Sequence, residues 1–338
     1  MSKLRIRGNV AIDLGTVNTL VWVGGRGLVL EEPSAIAIDI RGGRVAAIGS
    51  AAEVLADKEP QGINVIHPLR DGVIADMDAT AEMLYGFLRK SVHSNSPLHM
   101  SRRALVCVPA GATWVERRSV AAVLGARRPR YDVTLVDEPV AAAAGAGFDL
   151  SAGAGGFIVN IGGGTSEVAA VAGWQVVRAK SLRMAGNAMD DAIVSEARAE
   201  LGMLLSPRAA RKLKITFGMN GGSETAEAVG IDAAKRTPRV EKVPADLVAN
   251  ALNPIVTSIA RTVQEILSDV PSGLAEDVVH GKIRLSGGGA LLPGLASHIE
   301  AIAEIGAVVA EDPLRCVVRG TAMLMERENE VGFPGYRI

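Results

Sequence analysis

One pattern, used twice and far apart, constrains this 338-residue chain more than anything else in it. Near the start, the apolar run holding Val10, Ile12 and Leu14 is broken by Gly15-Thr16-Val17-Asn18-Thr19 and resumes as Leu20-Val21-Trp22-Val23. Near the middle, Phe157-Ile158-Val159-Asn160-Ile161 is broken by Gly162-Gly163-Gly164-Thr165 and resumes as Val168-Ala169-Ala170-Val171. Each copy reads as a strand, a hairpin of small residues and a return strand. A repeat separated by half the chain implies two related domains that face each other. Laid over one another, the copies set Asp13 opposite Asn160.

The remaining elements fill in around these hairpins. Gly24-Gly25 ends the second run and Leu28-Val29-Leu30 begins a third, so the opening is an antiparallel meander. Apolar residues at helical spacing predict helices over Asp78 to Lys90, Asn187 to Leu201 and Ala245 to Leu267, the last with a kink at Pro254. Val136-Asp137-Glu138-Pro139, followed by a run of alanines, predicts a strand that passes directly into a helix. Met219 to Val243, with Gly221-Gly222, Pro238 and mixed charges, is the least regular stretch and suits a small subdomain or an exposed lobe. Strands mixed with longer helices in both halves give an α/β architecture.

With 48% hydrophobic and 22% charged residues, the chain can bury the cores of two domains of ordinary size. A net charge of -1 gives no electrostatic case for nucleic acid as a partner and sets little repulsion against self-association. Cys107 and Cys316, the two cysteines, both sit in apolar strand-like runs, which points to packed thiols in a reducing compartment. No apolar run reaches the roughly 18 to 20 residues that span a bilayer. The basic opening, with Lys3, Arg5 and Arg7, lacks the apolar core of a signal peptide and suits either a strand or a peripheral membrane contact.

Two small-residue hairpins facing each other make a clamp. Backbone N–H groups freed of bulky side chains converge on one place, and hydroxyls add donors, which forms a nest for phosphate oxygens. Asp13, near the end of the first strand, suits a magnesium ion held through its waters, and it also suits a turn-stabilising role. Asn160, in the matching place, can accept a hydrogen bond from water but carries no charge and takes no proton. Glu138, at the strand-to-helix junction, can orient an attacking water or simply favour the helix N-terminus. A third glycine loop, Gly287-Gly288-Gly289-Ala290-Leu291, leaves its backbone open to a flat base or merely turns the chain. Lys214 can reach a sugar or base edge, or remain a solvated lysine. The sequence has no Walker A pattern and no nucleophile elbow, and its five histidines lack metal-ligand spacing.

Along most of the chain, and in order, IDLGTVNTL, LVLEEPSAIAI, HPLRDGVIADMDATAEML, LVCVPAGATWVERRSV, VDEPVAAAAGAG, IGGGTSEVAAV, AGNAMDDAIV, LSGGGALLPGL and AEDPLRCVVRG resemble motifs of the MreB family of bacterial actins. The match is weakest over Gly202 to Val243. The resemblance implies an actin-like ATPase fold, in which a duplicated ribonuclease-H-like core forms two related domains around a nucleotide cleft. Domain I would take residues 1–138 plus 312–338, with a small subdomain at 33–74. Domain II would take 139–311, with a small subdomain at about 182–243. The resemblance further implies ATP and magnesium as cofactors and polymerisation of the chain with itself. It implies a cytoplasmic location at the inner membrane surface, where such filaments guide cell-wall synthesis proteins and govern cell shape.

By the same resemblance, Val17, Asn18 and Thr19 match the first phosphate loop, beside Gly15 and Thr16. Gly163, Gly164 and Thr165 match the second, beside Gly162. Lys214 matches a nucleoside contact, Gly288 to Leu291 the adenine-side loop after Gly287, and Glu138 a water-positioning acid. Leu98 and Met100, followed by Arg102 and Arg103, lie where some relatives insert apolar residues into lipid, and an ordinary surface loop is the other reading. The departures are specific. Asn160 stands where the family has an aspartate, Thr216 where it usually has a glutamate near the ribose, Arg211 where another glutamate is expected, and Asn187 where it has an aspartate. An amide at 160 implies slowed hydrolysis with binding retained, and hence a filament or scaffold that binds nucleotide but barely cleaves it. A monomeric sugar-kinase-like or chaperone-like ATPase is the competing reading.

Overall fold

A computed structural model of the chain describes residues 9–56, 58, 60–91, 102–125, 131–150, 154–327 and 333–337. The first half runs through strands β1 (Val10–Leu14), β2 (Asn18–Val23), β3 (Gly27–Pro33), β4 (Ile36–Asp39) and β5 (Val45–Ile48). Helix α1 (Ser50–Ala56), β6 (Ile63–Ile66), β7 (Leu69–Arg70), β8 (Val73–Ile74) and α2 (Met77–Ser91) follow, then β9 (Arg102–Val108), α3 (Trp114–Gly125) and β10 (Tyr131–Asp137). The second half opens with α4 (Glu138–Gly145), β11 (Gly155–Ile161), β12 (Ser166–Ala172), β13 (Gln175–Leu182) and α5 (Gly186–Leu201). It continues through β14 (Met203–Leu205), α6 (Pro207–Phe217), β15 (Thr225–Asp232), β16 (Pro238–Pro244), α7 (Ala245–Ser268) and α8 (Ala275–Gly281). The last elements are β17 (Ile283–Ser286), a 3-10 turn at Gly288–Leu291, α9 (Leu295–Ala303), β18 (Ala307–Val309), α10 (Cys316–Glu326) and β19 (Tyr336–Arg337).

The duplication read from the hairpins is visible in the sheets. One sheet has the order β19-β10-β9-β1-β2-β3 and the other β13-β12-β11-β17-β18. In the first, β1 pairs antiparallel with β2 and parallel with β9, which pairs parallel with β10. In the second, β11 pairs antiparallel with β12 and parallel with β17, which pairs parallel with β18. Each half therefore contains three antiparallel strands extended by two parallel ones, with β19 added antiparallel at the edge of the first sheet, and this is the duplicated ribonuclease-H-like core that the resemblance implies.

Because both faces of each sheet are covered, the central strands read as nearly continuous apolar runs rather than as clean alternation. Period two still divides them. Val10 and Ile12 point to one side of the first sheet, against α2 and α3, while Ala11 points to the other. Phe157 and Val159 face α5 and α7, while Ile158 faces the other way. Ala11, Ile158, Ala169 and Val171 meet α4 and α10 in a single cluster, so these two helices form a shared layer between the sheets.

Smaller sheets sit apart from the two main ones, β5-β4-β6 in the first half and β14-β15-β16 in the second. The irregular stretch from Met219 to Val243 is mostly the β15–β16 hairpin of the latter. One expectation is corrected. Cys316 is not in a strand but opens α10, where it is fully buried. The helix expected over Ala245 to Leu267 is α7, with Pro254 inside it. Lys3, Arg5, Arg7, Leu98 and Met100 lie outside the described residues, and so does the side chain of Arg102.

Candidate functional site

Both hairpins close with the same bond. The Gly15 N–H donates to the Asn18 carbonyl at 3.1 Å, and the Gly162 N–H donates to the Thr165 carbonyl at 2.8 Å. A Cβ on Gly15 would lie 2.7 Å from that Asn18 oxygen, so the first turn requires glycine. Ser34 braces this hairpin from behind: its Oγ donates to the Gly15 carbonyl at 2.7 Å and lies 2.8 Å from Thr19 Oγ1. The start of α5 braces the other, where the Gly186 and Asn187 N–H groups donate to the Gly162 and Gly163 carbonyls at 3.1 and 2.8 Å. A Cβ on Gly163 would strike Val17, and one on Gly164 would lie 2.5 Å from Thr16 Oγ1. The two hairpins therefore meet across the gap between the halves, and only glycines allow it.

A cleft of about 480 Å³ lies at this meeting point, outside the carboxyl ends of β1, β9, β10, β11 and β17. Open α/β sheets place their ligand crevices at such strand ends. The cleft wall brings together Asp13, Gly15, Thr16, Val17, Asn18, Glu138, Asn160, Gly162, Gly163, Gly164 and Thr165. It also takes in Lys214, Gly287, Gly288, Gly289 and Leu291. Thr19 and Ala290 are not part of it. Thr19 is fully buried against Ser34, and Ala290 packs into the core of the second half. Gly287 takes φ +78°, and a Cβ there would lie 2.9 Å from Asn160 Oδ1, so the third loop presses against the end of β11.

Acids dominate the floor of the cleft. Burial pushes the Asp13 carboxyl up to about 7. Burial also raises Glu138 well above the ordinary glutamate range, and the negative charges of Glu167 and Asp13 raise it further. Opposing them is the Asn160 amide, whose Nδ2 donates to Glu138 Oε1 at 2.6 Å. On its other side, Asn160 Oδ1 accepts the Ser286 hydroxyl at 2.9 Å. Arg117 is committed to Asp137 at 3.1 Å and to the carbonyls of Ala110 and Ala112. Among the described residues, Asp13, Glu138 and Glu167 have no ion-pair partner.

Three polar residues of this network escaped sequence reasoning. Glu167 is fully buried in β12 and accepts the Ala110 N–H at 3.2 Å. Its signal was a single acid inside an otherwise apolar return strand. Asp190 and Ser286, both buried, carried no comparable signal, because their partners come from distant segments.

The family whose description is MreB/Mbl protein matches residues 7–332. This chain belongs to the MreB/Mbl family. Among MreB/Mbl relatives, the cell shape-determining protein MreB of Escherichia coli (strain K12) is 42% identical over 328 residues, covering 94% of this chain and 93% of that one. The cell shape-determining protein Mbl of Bacillus subtilis (strain 168) is 33% identical over 326 residues, covering 96% and 97%. The structure of MreB5 of Spiroplasma citri bound to ADP superimposes with a TM-score of 0.87 at 30% identity, covering 96% of this chain and 98% of that one. A MamK double helical filament, at 20% identity and a TM-score of 0.77, covers 94% of this chain and 99% of its own and shares the fold.

At the positions that the resemblance marks as departures, the side chains have definite places. Arg211 lines the cleft and gives its Nε–H to Asp190 Oδ2 at 3.2 Å. Lys214, one turn along α6, lies 2.7 Å from Asp190 Oδ1 and donates to the Gly186 carbonyl at 2.7 Å. It is buried, not solvated; burial lowers its pKa and the Asp190 charge works against that. Thr216 is outside the cleft lining and bonds back to the Lys212 carbonyl at 2.9 Å. Asn187 contributes its backbone N–H to the second hairpin.

Proposed function

We propose that this chain binds ATP in the cleft, assembles with itself into filaments, and hydrolyses the nucleotide slowly because position 160 is an amide. The observation that carries the reading is the pair of equivalent hairpins meeting over half-buried acids that have no ion-pair partner among the described residues. Backbone N–H groups of Thr16 to Asn18 and of Gly163 to Thr165 would hold phosphate oxygens. The open glycine backbone at Gly287 to Gly289 would take the base, with Lys214 on the sugar side. MreB5 of Spiroplasma citri, with 30% identity and the same fold, was solved bound to AMPPNP and to ADP, which supports a nucleotide in this cleft.

Asp13 and Glu138 fit a hydrated magnesium ion, since both are half-buried acids on the cleft wall with no ion-pair partner among the described residues. When bound, the ion would neutralise phosphate charge and hold the triphosphate in place. Glu138 would orient the attacking water. Asn160 donates to Glu138 and cannot take up a proton, so it cannot act as the base that an aspartate could be.

The two sheets with their helices support domain I at 1–138 plus 312–338 and domain II at 139–311, closing on the nucleotide from either side. The names of the relatives, cell shape-determining proteins, support a role in cell shape and cell-wall synthesis. Filaments at the inner face of the cell membrane, touching it through Leu98 and Met100, complete the reading. No described helix is long and apolar enough to cross a membrane.

Sedimentation across a concentration series, with ATP, with ADP and without nucleotide, tests assembly. The expected result is a pellet that appears above a threshold protein concentration. A monomer at every concentration and in every nucleotide state would overturn the filament reading.

A further inference from the structure

Asn160 spans the two halves of the molecule at the floor of the cleft. Its backbone is in β11, in register with Ser286 of β17. Its side chain reaches to Glu138, the first residue of α4 at the end of β10. Ser286, fully buried, donates its hydroxyl to Asn160 Oδ1, and the N–H end of the amide points at Glu138. Among the described residues, Asn160 is the only side chain bonded to Glu138. Asp13 and Glu167 repel it, and Arg117 is spent on Asp137. A carboxylate at position 160 would face Glu138 as a further like charge, and the floor would then require a cation to hold its shape.

We propose that Asn160 is a positioning residue that gives Glu138, through its N–H, the contact a divalent cation would otherwise supply, so that nucleotide binding by this chain depends only weakly on magnesium. The inference rests on the nucleotide-cleft reading above and deepens it. The amide holds Glu138 in place with or without the ion, and the phosphates are held by backbone donors. Magnesium becomes an addition to a formed site rather than a condition for it.

The test is the affinity for ADP, measured by calorimetry in millimolar magnesium and again in excess EDTA. It is made on the full chain and on Asn160→Asp, Asn160→Ala and Ser286→Ala, each checked for folding by its thermal transition. Wild type should lose about threefold or less in affinity on removal of magnesium. Asn160→Asp should lose about tenfold or more, the scale of one uncompensated charge a few ångströms from another in a partly screened site. Asn160→Ala and Ser286→Ala add no charge but lose the aimed N–H, and should fall between the two. They keep the test decisive if the aspartate variant does not fold. A role in packing alone would leave the ratio between the two conditions the same in every variant. An equal ratio, or a tenfold loss in wild type itself, overturns the positioning role and leaves the nucleotide cleft standing. No ADP binding by wild type in either condition overturns both.

Discussion

At the scale of single residues, Asp13 carries a clear pH signature. Its carboxyl is pushed up to about 7 by burial, whereas an unfolded aspartate titrates near about 3.9. Between these values the folded chain holds a proton that the unfolded chain has released, so its contribution to stability is full at low pH and is lost as pH rises through about 7. Glu138 and Glu167, raised in the same direction, add to the slope. The ligand-free chain should therefore melt at a higher temperature near about pH 6 than near about pH 8, and Asp13→Asn should flatten the difference. An unchanged slope in Asp13→Asn would show that its carboxyl is not held neutral by the fold. Asp13, Asn160 and Glu138 were legible because each stands at a fixed step from a hairpin or a strand-to-helix junction. Glu167, Asp190 and Ser286 were not, since what makes them matter is proximity to segments 20 to 130 residues away, roughly, and spacing in one sequence does not encode that distance.

At the scale of elements, the tightest joint is between α4 and α10 in the layer shared by the two sheets. A Cβ on Gly145 would strike the Cys316 carbonyl, and one on Gly320 would strike the Ala141 carbonyl. Ala141 to Ala144 complete a contact of small side chains on α4. Gly320→Ala should lower the free energy of unfolding by about 1–3 kcal/mol or more, through forced separation of the helices. Chemical denaturation reads this directly, and an unchanged midpoint would mean the helices can part without cost. Ser206 caps α6 by accepting the Ala209 N–H at 3.2 Å, and Ser206→Ala should cost about 1 kcal/mol in the same assay. The same joint explains the misreading of Cys316. Its β-branched neighbours Val317 and Val318 favour strands, but burial in the shared layer overrides that preference. The β15–β16 hairpin was obscured for the opposite reason: most of its side chains are exposed or half-buried, so apolar alternation barely marks it.

At the scale of the whole molecule, the sheet orders show that one motif was used twice, and the cleft is the consequence. Two copies of a strand-hairpin-strand unit, set face to face, bring two turns of small residues to one place. That much was legible from two short stretches of sequence, because the pattern of small residues is the same in both. The copies differ at one matched position, Asp13 in one and Asn160 in the other. On the function proposed above, this asymmetry would separate holding a nucleotide from cleaving it, and filament assembly would not be timed by hydrolysis. The most direct measurement is phosphate release followed together with pelleting, in this chain and in Asn160→Asp. The expected result is that both pellet with ATP, while only the variant releases phosphate at an appreciable rate. Release by the unaltered chain as fast as by the variant would contradict it, showing that Asp13 and Glu138 suffice for hydrolysis.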